Sequence, residues 1–90
     1  MTIEWDSTKN QINIEKHGID FSDAYKIFEN SIITKIDDRT DYREKRWIGI
    51  GILEQVTVVL VYTKRGNNIR IISIRKANKI ERKIYNEKFK

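Results

Sequence analysis

Four residues in the last quarter of the chain could act together on a charged substrate: Ser73, Arg75, Glu81 and Tyr85. Alternation along a β-strand would place the Ser73 hydroxyl and the Arg75 guanidinium on one face. Glu81 and Tyr85 are four residues apart, so a helix would place them on one side. A guanidinium stays charged in any site, and its planar donors can fork onto a phosphate. This combination therefore predicts a phosphate-bearing substrate.

Further basic residues flank these four, although each could also be an ordinary solvated surface cation. Arg70 is the weaker candidate, because alternation places it on the face of Ile72 rather than on that of Arg75. The predicted phosphate contacts beside Arg75 are Ser73, Arg46, Arg70, Lys76 and Arg82.

Three residues could move protons, and each has a structural alternative. His17 is the single histidine, and an imidazole can act as general acid or base, but a cation at the end of a helix would also explain it. Glu81 could orient an arginine or take a proton from a ribose 2′-OH. Tyr85 could donate to a leaving oxygen or stack on a base, as aromatic rings do with single-stranded RNA. Its alternative is packing beside Phe89.

Two glycines, Gly49 and Gly51, share one face of a predicted strand. Glycine in a strand often marks the close approach of a ligand or another backbone. One interpretation is a shallow floor for a nucleotide, on the same face as Ser73 and Arg75. The other is a bend or bulge that lets the sheet curl.

The chain is basic, with a net charge of +5, and it has no cysteine. Such a balance favours anionic partners, nucleic acid foremost, but an acidic protein or mere solubility would fit equally. No apolar run approaches the roughly 20 residues of a membrane span, and Glu4 and Asp6 interrupt any signal peptide. We expect a soluble cytoplasmic protein without membrane contact. Asp37, Asp38 and Asp41 lie among cations and predict a paired, solvated loop, so we expect neither a metal nor a cofactor.

Hydrophobic periodicity predicts one domain spanning residues 1–90, with α+β architecture. A first helix would run from Thr8 to Lys16 and end at Gly18, and a second would follow an N-cap at Ser22 and bury an aromatic stripe. Four strands follow, joined by short turns that favour antiparallel neighbours. The predicted strands cover residues 32–37, 46–53, 56–63 and the stretch to 75, and the third of them is central. A last helix, with apolar Ala77, Ile80 and Ile84, reaches about residue 88.

The chain resembles the BrnT-type toxins of bacterial type II toxin–antitoxin systems. The resemblance is carried above all by Arg70-Ile-Ile-Ser-Ile-Arg-Lys-Ala77, followed by Glu81-Arg82 and Tyr85. Trp5-Asp6, Lys16-His-Gly-Ile19, Arg46 and Ile48-Gly49 match in the expected order. Ile74 departs from the pattern, because family members often carry a small residue there.

The resemblance implies a RelE-like ribonuclease fold, with two N-terminal helices packed on a four-stranded antiparallel meander sheet and a C-terminal helix after it. It also implies an endoribonuclease toxin that cuts mRNA and arrests translation and growth. A BrnA-type antitoxin with a ribbon–helix–helix domain would neutralise it in a hetero-oligomer. Operator DNA would be bound only through that antitoxin.

The mechanism we expect is RNA cleavage without a metal. RNA would lie across the open sheet face, with Arg75 and Arg46 on the scissile phosphate, and the 2′-OH would attack in line to leave a cyclic phosphate. The rate would come from positioning and from cations matched to the growing charge. His17, Glu81 and Tyr85 are the candidates for proton transfer. The alternative is a small basic module that binds RNA or an acidic protein without cleaving it.

Overall fold

All the strands belong to one mixed sheet, with helices on both of its faces. The computed structural model describes residues 2–39 and 41–90. Its elements are β1 Thr2–Trp5, α1 Ser7–His17, a 3₁₀ helix Phe21–Asp23, α2 Ala24–Phe28, β2 Ile33–Ile36, β3 Arg46–Leu53, β4 Val56–Arg65, β5 Asn68–Lys76 and α3 Lys79–Lys88. The strand order across the sheet is β1-β5-β4-β3-β2.

The α+β class and the antiparallel meander of β2 to β5 are confirmed, with β4 in the centre. The predicted count of four strands is wrong, because β1 is a fifth strand. It pairs in parallel with β5, from Thr2 opposite Asn68 to Trp5 opposite Ile71. A parallel neighbour needs a long crossover connection, so no local turn signal in the sequence could reveal this pair.

The first helix covers the predicted residues and one more at each end, and it ends at Gly18 as predicted, whereas the second begins at a different cap. The Asp6 carboxylate accepts a hydrogen bond from the Lys9 N–H, and Gly18 ends α1 in the left-handed conformation at φ 71°. Asp20, not Ser22, accepts the capping bond at the start of the 3₁₀ helix. The predicted aromatic stripe of α2 is wrong for Tyr25, which is 51% exposed, but Phe28 packs against the core, with its ring centroid 5.4 Å from that of Tyr62. Ala24 and Ile27 of the same helix are fully buried.

Asn13 fixes α1 to the sheet through its side-chain amide. It is 5% exposed, and its Nδ2 donates to the carbonyls of Ile19 and Ile74 at 2.9 Å each. Its Oδ1 accepts from the Ile74 N–H at 3.1 Å. The pairing of β1 stops at Ile71, so this amide replaces a strand neighbour for the next stretch of β5.

A β-bulge interrupts the pairing between β4 and β5. Val61 lies opposite Ser73, while its neighbour Tyr62 lies opposite Ile71, which leaves Ile72 without a partner. An extra residue of this kind reverses the alternation of side chains beyond it. The faces predicted by simple alternation along β5 therefore cannot hold on both sides of Ile72.

The bulge corrects two predictions about β5. Ile74 was expected to share a face with Ile72, but Ile71 and Ile74 are the buried pair, at 1% and 0% exposure. Arg70 was expected to lie away from Arg75. Its register opposite Thr63 places it instead on the same face as Ser73 and Arg75.

The two sides of the sheet differ in what covers them. The side that packs against α1 and α2 contains the main hydrophobic core, and we call it the core face. We call the opposite side the α3 face, because α3 lies over one part of it. Its residues follow from the pairing registers and include Ile33, Lys35, Arg46, Ile48, Ile50, Val59, Arg70, Ser73 and Arg75.

The glycines of β3 lie on the core face, so the nucleotide-floor interpretation is wrong. A Cβ at Gly51 would lie 2.7 Å from Cγ2 of Ile27, and one at Gly49 would lie 3.0 Å from Cδ2 of Leu60. Both positions are therefore restricted by tight packing against core side chains. Ser73 and Arg75 lie on the other side of the sheet.

The last helix buries a different side from the one predicted. Ile80 and Ile84 are 71% and 46% exposed, while Tyr85 is 8% exposed. Only Ala77, just before the helix, is buried as expected. Within the described residues, no helix combines the length and the hydropathy that crossing a membrane requires.

Candidate active site

The centre of the candidate site is a forked ion pair between Arg75 on β5 and Glu81 on α3. Arg75 Nη1 and Nη2 donate to Glu81 Oε1 and Oε2, each at 2.8 Å. The Arg75 side chain is 37% exposed, so the pair is accessible from solvent. The structure thus brings together the two residues that the sequence placed at the strand-to-helix junction.

The start of α3 determines where the Glu81 carboxylate lies. Asn78 is the N-cap, and its Oδ1 accepts a hydrogen bond from the Glu81 N–H at 2.8 Å. Glu81 Oε1 in turn accepts from the Asn78 N–H at 2.8 Å, which completes a capping box. Because this reciprocal pair fixes the first turn, Glu81 reaches Arg75 in a defined orientation.

Each charge of this pair stabilises the other. The Arg75 guanidinium lowers the pKa of Glu81, and Glu81 raises the pKa of Arg75. A carboxylate that keeps its charge so readily is a weak proton acceptor at neutral pH. Of the two predicted roles for Glu81, the geometry therefore favours orienting an arginine.

The backbone of the junction is tied down by two guanidinium groups. Arg75 Nη1 also donates to the Lys76 carbonyl at 3.3 Å, and Arg82 Nη1 donates to the Ala77 carbonyl at 3.0 Å. Arg82 was predicted as a phosphate contact, and it remains close to the site. Its hydrogen bond shows that it also stabilises the turn into α3.

Tyr85 is part of the packing under α3. Its hydroxyl donates to the Ser31 carbonyl at 2.8 Å, and its ring centroid lies 4.9 Å from that of Phe89. The hydroxyl is already engaged and the side chain is buried, so this geometry favours the predicted packing alternative over proton transfer.

His17 and Lys76 lie away from the ion pair. His17 is the last residue of α1, which packs on the core side of β5. No hydrogen bond or ion pair joins His17 to Arg75 or Glu81 in the described parts of the chain. Lys76 lies opposite Val58 and beside Gly18, so it faces the end of α1 rather than the α3 face. The helix-end explanation for His17 fits this position.

Two further predicted contacts share the α3 face with Arg75. Arg70 Nη1 forms an ion pair with Glu4 Oε2 at 2.9 Å, so part of its charge is balanced by β1. Ser73, opposite Val61, lies between Arg70 and Arg75 along β5 and is half-buried.

Arg46 is stacked on an aromatic ring at the start of β3. Its guanidinium carbon lies 4.0 Å from the centroid of Tyr42, an attractive cation–π distance. Its Nε is buried without a hydrogen-bond partner among the described residues, because the nearest Glu44 oxygen is 3.8 Å away.

The loop after β2 contains a buried carboxylate that we did not predict. Asp37 was expected to be solvated, yet it is 5% exposed. Its two oxygens accept from Arg39 Nε and Nη2 at 2.7 and 2.8 Å. The paired nature of this loop is confirmed for Asp37 and Arg39, but the solvated nature is wrong for Asp37. Only the close spacing of these two residues at a strand end could have signalled it.

An apolar cavity of about 230 Å³ lies between α3 and the sheet. Its lining includes the isoleucines Ile33, Ile48, Ile50 and Ile84, with the charged groups of Lys35 and Glu81. The candidate site therefore combines an apolar hollow with adjacent cations. In the described part of the chain, no three His, Cys, Asp or Glu side chains gather as a metal ion would require.

The fold and the site define a small α+β domain whose exposed guanidinium groups suit an anionic ligand. A family model described as "Ribonuclease toxin, BrnT, of type II toxin-antitoxin system" matches residues 5–81. The chain belongs to this family, which confirms the resemblance noted in its sequence. It is therefore a ribonuclease toxin of a type II toxin–antitoxin system, with an antitoxin protein as partner. A comparison with curated proteins gave no match.

Proposed function

We propose that this toxin is an endoribonuclease that cleaves mRNA without a metal ion, and that Arg75 binds the scissile phosphate. The observation that carries the proposal is the exposed Arg75 guanidinium, held in a fork by Glu81 at the rim of the cavity. A preorganised cation of this kind stabilises the charge that develops on a phosphate during cleavage.

In the proposed reaction, the ribose 2′-oxygen forms a bond to phosphorus as the bond to the 5′-oxygen breaks. The products are a 2′,3′-cyclic phosphate and a 5′-hydroxyl. Solvent takes the 2′-OH proton and supplies the proton of the leaving oxygen. The lowered pKa of Glu81 makes it a weak base, the Tyr85 hydroxyl already donates to the Ser31 carbonyl, and His17 lies at the end of α1 on the core side of the sheet. Glu81 is then a positioning residue for Arg75.

The proposed partners follow from the family. A BrnA-type antitoxin with a ribbon–helix–helix domain would neutralise the toxin in a hetero-oligomer and would supply all contacts to operator DNA. Because mRNA is its proposed substrate, the toxin would act in the cytoplasm.

The test is cleavage of single-stranded RNA by the purified protein in EDTA. We expect wild-type cleavage to persist and Arg75→Ala to lose about 10²–10³-fold in rate, as is usual when one transition-state contact is removed. The matched control is Lys9→Gln, which removes one exposed charge from α1 on the other side of the sheet. Growth after induction should recover with Arg75→Ala only. Full toxicity of a folded Arg75→Ala protein would show that the phosphate contact lies elsewhere.

The second candidate is RNA binding without cleavage. It is favoured by one observation. Among the described residues, the side chain that pairs with Arg75 is Glu81, and its lowered pKa makes it a weak proton acceptor. The same experiment separates the two functions, because a binder would shift the RNA band in a gel without shortening it.

A further inference from the structure

We infer that Arg39 forms a second phosphate subsite on the α3 face and that buried Asp37 is its positioning residue. This inference rests on the proposed function, since it assigns part of the RNA contact beyond Arg75. Neither residue was among the sequence-predicted contacts.

The first support is the asymmetry of the ion pair. The Asp37 side chain is 1% exposed, whereas that of Arg39 is 61% exposed. Surface ion pairs usually have both partners in water and contribute little. Here a buried carboxylate fixes a guanidinium that lies mostly in solvent. Arg39 Nη1 makes no hydrogen bond to any residue that the structure describes, so this end can still donate to a ligand.

The second support is the anchoring of Asp37 itself. The Asp37 N–H donates to the Arg46 carbonyl at 2.8 Å, which extends the pairing of β2 and β3 by one step. The Tyr42 hydroxyl reaches a carboxylate oxygen at 3.5 Å, and Arg46 covers the Tyr42 ring. Arg39 is thus attached to the rigid sheet rather than to a free loop end.

The third support is the position of this group relative to Arg75. Ile33 and Lys35 of β2 line the cavity next to Glu81, and alternation places Asp37 on the same face one step further along. Asp37 pairs with Arg46, which lies on the α3 face, so the carboxylate that fixes Arg39 is on the same side of the sheet as Arg75.

The phosphates of one RNA strand can therefore contact Arg75 on β5 and Arg39 just after β2. Each contact between a cation and a single strand contributes about 0.7 to the slope of log affinity against log salt. A residue with a purely structural role would change stability without changing this slope. The salt dependence of binding is accordingly the decisive measurement.

The experiment measures the binding of single-stranded RNA at several salt concentrations, together with cleavage in EDTA. Arg39→Gln should lower the salt slope by about 0.7 and slow cleavage by roughly 10-fold to 10²-fold. Arg39→Lys keeps the charge but not the fork, so the slope should stay while cleavage slows. Asp37→Asn should behave like Arg39→Lys, because the cation remains but is no longer fixed.

Lys9→Gln controls for the loss of one charge, and thermal unfolding checks each variant. If Arg39→Gln matches Lys9→Gln in slope and rate while Arg75→Ala loses cleavage, the subsite is wrong and the proposed function stands. If no variant, including Arg75→Ala, changes cleavage, the proposed function fails as well. If Arg39→Gln does not fold, Arg39→Lys replaces it as the test. Cleavage by Arg39→Lys at the wild-type rate would overturn the forked contact between Arg39 and the phosphate.

Discussion

One carboxylate serves two neighbours at the centre of the site. Glu81 accepts from the Asn78 N–H and, in a fork, from Arg75. Glutamine at this position can still complete a capping box, but it lacks the charge that fixes the guanidinium. The two tasks of Glu81 can therefore be separated by a single substitution.

We predict that Glu81→Gln slows RNA cleavage by about tenfold or more, because Arg75 loses its charged partner. The free energy of unfolding should change by less than about 1 kcal/mol, because the cap survives. Asn78→Ala is the converse control. It should cost about 1 kcal/mol of stability through the lost cap. Chemical denaturation and cleavage assays measure both quantities, and wild-type cleavage by Glu81→Gln would contradict the positioning role.

The lowered pKa of Glu81 also predicts how stability depends on pH. A carboxylate with a depressed pKa in the folded state stabilises fully above its unfolded value, about 4.3 for Glu, and this contribution is lost as pH falls through the folded pKa. Wild-type melting temperature should therefore fall on acidification below about pH 5. The decline should be smaller in Glu81→Gln. Parallel curves for the two proteins would mean that the ion pair adds no stability.

At the scale of single residues, the sequence was sufficient where the contact is local. Arg75 and Glu81 are six positions apart across one junction, and the sequence already placed both of them there. Asp37 and Arg39 are closer still in sequence, and their spacing indicates an ion pair, but the burial of the carboxylate depends on its pairing with β3. The exposure of Ile80 and Ile84 likewise depends on which side of α3 faces the sheet, and Tyr85 occupies that side instead.

At the scale of elements, α2 packs tightly against β3 at Gly51. A Cβ there would lie 2.7 Å from Ile27 Cγ2, and Ile27 is fully buried. Such a contact forces either the helix or the strand to move. The short α2 can therefore pack flat on the sheet only because this position lacks a side chain.

We predict that Gly51→Ala lowers the free energy of unfolding by about 1–3 kcal/mol, the usual cost of overpacking a core. Gly49→Ala should cost less, because its nearest neighbour lies at 3.0 Å and is the end of a leucine side chain. Denaturant titration measures both. In the background of Ile27→Ala, which removes the clashing methyl, the effect of Gly51→Ala should shrink. An unchanged effect would mean that strand distortion, rather than this clash, is the cause.

Simple periodicity predicted the types of the elements well and the faces of β5 poorly. One unpartnered residue, Ile72, reverses the alternation, so Arg70 lies on the face of Arg75 and Ile71 lies in the core beside Ile74. A bulge depends on two strands together and leaves no reliable mark on one of them. The role of Asn13 could not be predicted for the same reason, because its side chain forms hydrogen bonds to the backbone of Ile74 on a distant strand.

For the molecule as a whole, the sequence predicted the antiparallel pairing of strands that follow one another in the chain. It did not predict the fifth strand. The meander joins segments that follow one another directly, so turn residues and alternation were enough. The pairing of β1 with β5 connects the two ends of the sequence, and only the tertiary fold brings them together. Family membership supplied the toxin and antitoxin context that composition left open.

The parallel pairing of β1 with β5 has a consequence for biosynthesis. A ribosome makes Thr2–Trp5 well before Asn68–Lys76, so β1 has no parallel partner until residues 6–67 have been added. Arg75 belongs to that late segment, and Glu81 is made later still. A nascent chain therefore cannot pair these two strands, or bring Arg75 and Glu81 together, until these late residues have been made.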